Sequence, residues 1–167
     1  NGAAFQFLAE DAVGITTGTA NPRAMLGEVC PTITWAEPPA NLRGLTGMPN
    51  GVMAGHFDNV VCFCEPYVHY AWPVEYQLTV STPIVALAAF GQTFVVAHYA
   101  GVDYVSGADS ASMSMQKDVS KQSCASPRSM VPIDGGVVYA SPDGLCLANS
   151  QGVQLITGVH FSREDWQ

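Results

Sequence analysis

The most constraining stretch of the chain is residues 128–157, "RSMVPIDGGVVYASPDGLCLANSQGVQLIT". It holds four short apolar runs, at 129–133, 137–140, 145–148 and 153–156. Asp134-Gly135-Gly136, Pro142-Asp143-Gly144 and Ser150-Gln151-Gly152 separate them. No run reaches the roughly 10 to 12 residues that a globular helix needs. Closely spaced Gly-containing breaks between segments rich in Val, Ile, Tyr and Leu instead predict antiparallel strands joined by tight turns. The stretch reads as a four-stranded meander.

The same pattern occurs twice upstream. From Leu42, "LRGLTGMPNGVMAGHFDNVVCFCEP" has turn signals at Pro49-Asn50-Gly51 and at His56-Phe57-Asp58-Asn59. A β-prone run at 60–64 follows, then the proline- and aromatic-rich "EPYVHYAWP" and a further strand at 76–80. From Ile84, "IVALAAFGQTFVVAHYAGVDYVSGAD" predicts strands at 84–89, 93–98 and 104–106. A polar edge strand at 112–118 would complete that set, with Met113 and Met115 alternating against Ser112, Ser114 and Gln116. Gly51, Gly91 and Gly136 occupy equivalent first-hairpin turns, 40 and 45 residues apart. Four strands per period of about 40 to 50 residues is the spacing of β-propeller blades.

The expected fold is therefore all-β, with antiparallel four-stranded meanders arranged as blades of a partial propeller. A β-sandwich is the alternative. Blades are placed at 42–80, 84–119 and 128–157. Residues 1–41 form an irregular N-terminal segment that could supply part of a blade, with candidate strands at 5–8 and 13–17. Its Pro38-Pro39 reads as an extended connector. The tail, 158–167, is expected to begin a short helix capped by Ser162, with Glu164 and Asp165 in its first turn. Closed propellers have about four to eight blades, so three must be completed by other sequence or docked in an assembly.

Composition narrows the function classes. Only 12% of the residues are charged, against roughly 25% in an average domain, so much of the surface is expected to be covered by neighbours. Six Lys and Arg stand against fourteen Asp and Glu, a net charge of −8. Without a basic cluster to neutralise phosphates, sequence-specific nucleic-acid binding is disfavoured. An acidic wall suits DNA that slides past without sticking. No run approaches the 18 or so apolar residues of a membrane-spanning helix. The start, "NGAAFQFLAED", has no Met and no basic stretch, so it does not read as a signal peptide, and a processed chain or a piece of a longer one is expected.

Five cysteines, Cys30, Cys62, Cys64, Cys124 and Cys146, are read as reduced and mostly buried thiols. Cys62 and Cys64 leave a strand on one face, with His56 and His69 nearby in sequence, but the paired knuckles of a zinc site are missing. No metal or cofactor is assigned. No catalytic residues are assigned either: the chain lacks a G-x-S-x-G elbow, and Asp143 in "SPDG" is read as a type I′ or Asx turn residue. Glu65, Glu75 and Asp103 are read as turn or rim carboxylates rather than a glycosidase pair. Peptide bonds at Glu65-Pro66 and Trp72-Pro73 are expected to be trans. The binding candidate is the aromatic cluster Tyr67, His69, Tyr70, Trp72 and Tyr76. It could stack on a sugar, fill a partner's groove, or pack under its own sheet.

Long phrases, "LGEVCPTITWAEPPANLRGLTGMPNG", "CEPYVHYAWPVEYQLTVSTPIVALAAFGQT", "SGADSASMSM" and "VVYASPDGLCLANSQGVQLITGVHFSRED", together span most of residues 26–165. In these the chain resembles a family of uncharacterised tailed-bacteriophage structural proteins. The resemblance implies a virion protein of the tail or the head-to-tail connector, of the propeller-like nozzle or stabilisation type. It would be made in the host bacterial cytoplasm and assembled with other virion proteins into a homo-oligomeric ring around the DNA passage used in ejection. Acidic residues such as Asp58, Glu65, Asp103, Asp109 and Asp143 would line that passage or face solvent. Members of the family are usually longer, and the resemblance carries over no catalytic residue. The competing expectation is a carbohydrate- or receptor-binding propeller that uses the 67–76 loop as its platform.

Overall fold

The computed structural model describes residues 36–166. The expected strands at 5–8 and 13–17, and Cys30, lie outside them. Among the described residues the protein is all-β apart from 3₁₀ turns and a four-residue helix, α1 (Arg163–Trp166). Residues 36–42 run without helix into the first strand, as the paired prolines require.

Among the described residues twelve strands form three separate four-stranded sheets. Sheet 1 comprises β1 (Arg43–Gly47), β2 (Met53–Phe57), β3 (Val60–Phe63) and β4 (Gln77–Thr79). Sheet 2 comprises β5 (Ile84–Phe90), β6 (Thr93–His98), β7 (Gly101–Ser106) and β8 (Ser114–Lys117). Sheet 3 comprises β9 (Val131–Ile133), β10 (Gly136–Ser141), β11 (Gly144–Asn149) and β12 (Gly152–Leu155). Each is an antiparallel meander whose spatial order follows the chain. The edge strand of sheet 2 is shorter than its sequence run, because Ser110–Ser112 turns as a 3₁₀ segment capped by the Asp109 carboxylate.

One turn differs from expectation. In the β10–β11 hairpin Pro142 and Asp143 are the central residues between paired Ser141 and Gly144. Type I′ needs positive φ at both, which the proline ring forbids. The Ser141 hydroxyl organises this turn instead. It accepts from the Asp143 backbone N–H at 3.2 Å and donates to the Gly144 carbonyl at 3.0 Å.

Strand alternation sends two apolar sets to opposite sides of sheet 2. Leu87, Phe94, Val96 and Val105 meet Ala54, Val61 and Phe63 of sheet 1. Ala86, Ala88, Val95, Ala97 and Val102 meet Val137, Tyr139, Cys146 and Ala148 of sheet 3. The sheets thus stack in the order 1, 2, 3, which is why β5 and β6 read as nearly unbroken apolar runs. β5 packs against β1 and β2 on one side and against β9 and β10 on the other. The last strands, β4, β8 and β12, make no comparable contact between sheets, so the sheets converge at their first strands and open outward.

The two outer ends of the stack are unlike. On sheet 1 the outward Cys62 and Cys64 are buried with Trp72, and Leu42 packs over them. Leu42 also crowds Gly55, where an added Cβ would come within 2.8 Å of its side chain. On sheet 3 the outward Val131 and Ile133 are about half exposed.

Candidate interaction surface

The 64–76 connection between β3 and β4 carries the aromatic cluster, and its residues divide in two. Trp72 turns inward, 3% exposed, onto Cys62 and Cys64, and its indole N–H donates to the His69 carbonyl at 2.8 Å. Tyr76 is half-buried against the core between sheets 1 and 2. Burial and a hydrogen bond to Glu65 hold its phenol above the usual range. Tyr67 and Tyr70 stand out at 74% and 66% exposure, and His69 is exposed beside them. The loop anchors itself through Trp72 and presents two tyrosines.

Backbone geometry fixes that presentation. Tyr67 has φ of 61°, and its N–H donates to the Gly51 carbonyl at 3.0 Å. Its ring lies over Gly51, where a Cβ would fall 2.6 Å from the ring carbons. Gly51 also has φ of 81°, so the turn needs glycine for conformation and for space. A second tie comes from sheet 2, where the buried Ser110 hydroxyl donates to the Cys64 carbonyl at the root of the loop. Both X-Pro bonds here are trans.

Among the described residues the cysteines and histidines do not converge. His56 pairs with Val61 across the β2–β3 ladder, whereas Cys62 pairs with Gly55, so the two project from opposite faces of sheet 1. Burial, reinforced by nearby Arg43, pushes the His56 imidazole pKa down. Burial pushes the Cys62 thiol up to about 11. Cys62, Cys64, Cys124 and Cys146 are all free and buried, and such thiols are poor nucleophiles.

The carboxylates are dispersed too. Asp58 and Asp109 are exposed, and Asp143 pairs with Arg163 at 3.1 Å. Asp103 departs from the expectation that it would face solvent or a passage. It is 3% exposed, with its carboxylate 3.4 Å from His98 Nε2. On the other side of that ring, Nδ1 lies 2.8 Å from the Thr82 hydroxyl. The Ala100 N–H also points at Thr82 Oγ1 and His98 Nδ1, each at 3.2 Å. A Thr–His–Asp order resembles a catalytic relay in outline, but here the groups tie the strand entering sheet 2 to the β6–β7 hairpin. Scattered over about twenty positions, the three residues form no recognisable pattern in the sequence.

Two further features were not singled out from the sequence. A cleft of about 300 Å³ opens between sheets 2 and 3. Tyr104, Gln116, Lys117, Asp118, Asn149 and Gln151 are among its lining residues. Burial and the nearby Asp118 charge push the Tyr104 phenol up to about 12. The other feature is the outward face of sheet 3. The ladder places Val138 opposite Val131 and Leu147, and Ala140 opposite Leu145, on one side. A signal was available: β10 and β11 are apolar at both odd and even positions, the pattern of strands covered on two sides. No protein-family model matches this chain, and no curated protein is significantly similar to it.

Proposed function

We propose that the chain is a structural component of a tailed-bacteriophage virion, part of a tail or head-to-tail ring of the nozzle or connector type around the DNA passage. The observation that carries this reading is the stack of three sheets that ends in a sheet with an apolar outward side, where Val131 and Ile133 are about half exposed. Monomeric soluble proteins rarely expose large apolar patches, and a neighbour is the ordinary reason for one. The convergence of β1, β5 and β9 supports treating the sheets as blades of an arc. The net charge of −8 supports a wall that passing DNA does not adhere to. The resemblance of the long sequence phrases to phage structural proteins points the same way. In this reading the protein has no catalytic role and no cofactor, and it acts by shape and contact. Among the described residues no helix is long and apolar enough to cross a membrane.

The direct test is mass spectrometry and cryo-EM of purified phage particles that encode the chain. Its peptides should be present in ring-like stoichiometry, with density for stacked four-stranded sheets near the tail axis. Particles lacking the chain would end this reading.

A second reading, a carbohydrate- or receptor-binding module, is favoured by the exposed Tyr67 and Tyr70 and by the polar cleft between sheets 2 and 3. Aromatic faces and neutral amides suit sugars. Glycan-array binding that Tyr70→Ala abolishes would favour it over the virion reading, and binding that survives the change would remove the loop as its platform.

A further inference from the structure

We infer that the cleft between sheets 2 and 3 is a binding site for one neutral sugar unit, held by hydroxyl, amide and carboxylate groups against Phe90 and Tyr104. The inference rests on the second reading above, the carbohydrate-binding one, and assigns its sugar site to the cleft instead of the 67–76 loop.

Strand register builds the cleft. Phe90 pairs with Thr93, Thr93 with Ser106, and Tyr104 with both Val95 and Gln116. Paired residues share a face and every second residue returns to it, so these side chains stand with Val95 on the side of sheet 2 that meets sheet 3. Along β6 and β7 that side changes character. Ala97 and Val102 at one end are apolar and packed on sheet 3, whereas Thr93 and Ser106 at the other end are polar and line the cleft. The opposite wall is the β11–β12 turn, from Asn149 to Gly152. The Asp118 carboxylate, just past β8, reaches this turn: a Cβ on Gly152 would lie 3.3 Å from its Oδ1. With φ of 110°, Gly152 also holds a backbone conformation that side chains rarely adopt, so the wall stays low beside the carboxylate.

Two acceptors in the cleft are held in place by the backbone. Asp118 Oδ2 accepts from the Ser120 N–H and Asn149 Oδ1 from the Gln151 N–H, each at 2.8 Å. That leaves Asp118 Oδ1 as an acceptor and the Asn149 amide N–H groups as donors. Among the described residues the side chains of Thr93, Ser106, Gln116 and Gln151 make no hydrogen bond to the protein. The lining then selects the ligand. Lys117 is the one cation named along it and Asp118 stands next to it, so a phosphate or sulfate finds no cationic cluster. Asp118 is the one carboxylate, and among the described residues no three His, Cys, Asp or Glu side chains gather for a metal. Hydroxyls and amides predominate, which suits a ligand that both donates and accepts. Sugar hydroxyls can donate to Asp118 and accept from Asn149 and Gln116, while an apolar C–H face lies on half-buried Phe90 or Tyr104. A volume of about 300 Å³ is at the small end of ligand pockets and suits one sugar unit. The net charge of −8 disfavours acidic sugars.

The test is calorimetric titration of the full chain, backed by saturation-transfer NMR. The panel holds glucose, galactose, mannose, N-acetylglucosamine and their short oligomers, with sialic acid and inorganic phosphate as anionic comparisons. Wild type should bind a neutral sugar with millimolar affinity for the single unit, and the anions more weakly. Asp118→Asn should weaken that binding by about tenfold, and Gln116→Ala by about fivefold. Ser106→Trp, which fills the cleft, should abolish it. Gln116 and Ser106 are exposed, so Gln116→Ala and Ser106→Trp should keep the wild-type circular dichroism spectrum and a cooperative melt. Tyr70→Ala should bind as wild type does. Sugar binding that Tyr70→Ala abolishes and Ser106→Trp leaves intact overturns the inference while the carbohydrate reading stands, with the loop as its platform. Binding of sialic acid or phosphate in preference to every neutral sugar overturns the ligand class assigned to the cleft. A wild-type chain that binds no member of the panel removes both the cleft site and the reading it rests on.

Discussion

Phe94 tests whether the contact between sheets 1 and 2 holds the fold together. The residue is fully buried, and its ring centroid lies 5.7 Å from that of Phe63 at an interplanar angle of 37°. Around the pair are Leu87, Val61, Val96 and Val105, also buried. Truncating a buried phenylalanine to alanine costs about 3–5 kcal/mol, according to how far the site can collapse. Here the surroundings are β-strands held by ladders on both sides, which collapse poorly, and an aromatic pair worth about 0.5–1.5 kcal/mol is lost as well. We place the loss for Phe94→Ala at about 4 kcal/mol. A domain of this size has about 5–15 kcal/mol in total, so the variant should fold but with a much reduced margin. With a urea slope of about 1.5 kcal/mol per molar, the unfolding midpoint should fall by about 2 to 3 M. A double-mutant cycle with Phe63→Ala should return a coupling of about 1 kcal/mol. The control is Phe161→Ala, half exposed in the tail, which should move stability by less than about 0.5 kcal/mol. A midpoint shift under about 0.5 M for Phe94→Ala, or strict additivity with Phe63→Ala, would refute the argument that this interface is a packed core.

Three other perturbations probe different parts of the structure. Burial raises the Cys62 thiol from 9.0 to about 11, and burial with the Asp118 charge raises the Tyr104 phenol from 10.0 to about 12. Folding therefore favours the neutral forms. That stabilisation is complete below pH 9 and is lost as pH climbs through 11 and 12, so the urea midpoint should fall above pH 9, less steeply in Cys62→Ala. A midpoint unchanged up to pH 11 would contradict this. Asp103→Ala removes the carboxylate that lies 3.4 Å from the buried His98 Nε2, so calorimetry should show a loss of about 1–3 kcal/mol. Gly136→Ala places a Cβ 2.6 Å from the Ala148 carbonyl, which is backbone and cannot yield, and should cost about 1–3 kcal/mol. Gly135→Asn, at φ of 79° with nothing within 4 Å, should stay within about 0.5 kcal/mol by the same melts.

Much of the local structure was legible because strand, turn and cap are decided by neighbours in sequence. Gly-containing breaks every few residues force hairpins whatever surrounds them, which is why three four-stranded meanders could be read from turn spacing. The Ser162 cap of the tail helix was legible for the same reason, with its hydroxyl accepting from the Asp165 N–H at 3.2 Å. At Pro142-Asp143 the Asp-Gly pair favours type I′ but the proline ring forbids it, so this turn follows the ring and the Ser141 hydroxyl.

Tertiary structure decided what depends on which face of a sheet meets which. Nothing in the sequence distinguishes Trp72, folded in over Cys62 and Cys64, from Tyr70 two residues earlier in the same loop, and only the packing of sheet 1 sorted them. Asp103 reads as a turn or rim acid until β6 and β7 bring His98 and Thr82 to it. The apolar sets on β10 and β11 are visible in the letters, but which set is buried against sheet 2 is a property of the stack. Short-range stereochemistry wrote the strands and turns. The order of the sheets, set by burial between residues distant in the chain, determined which of their apolar side chains are buried.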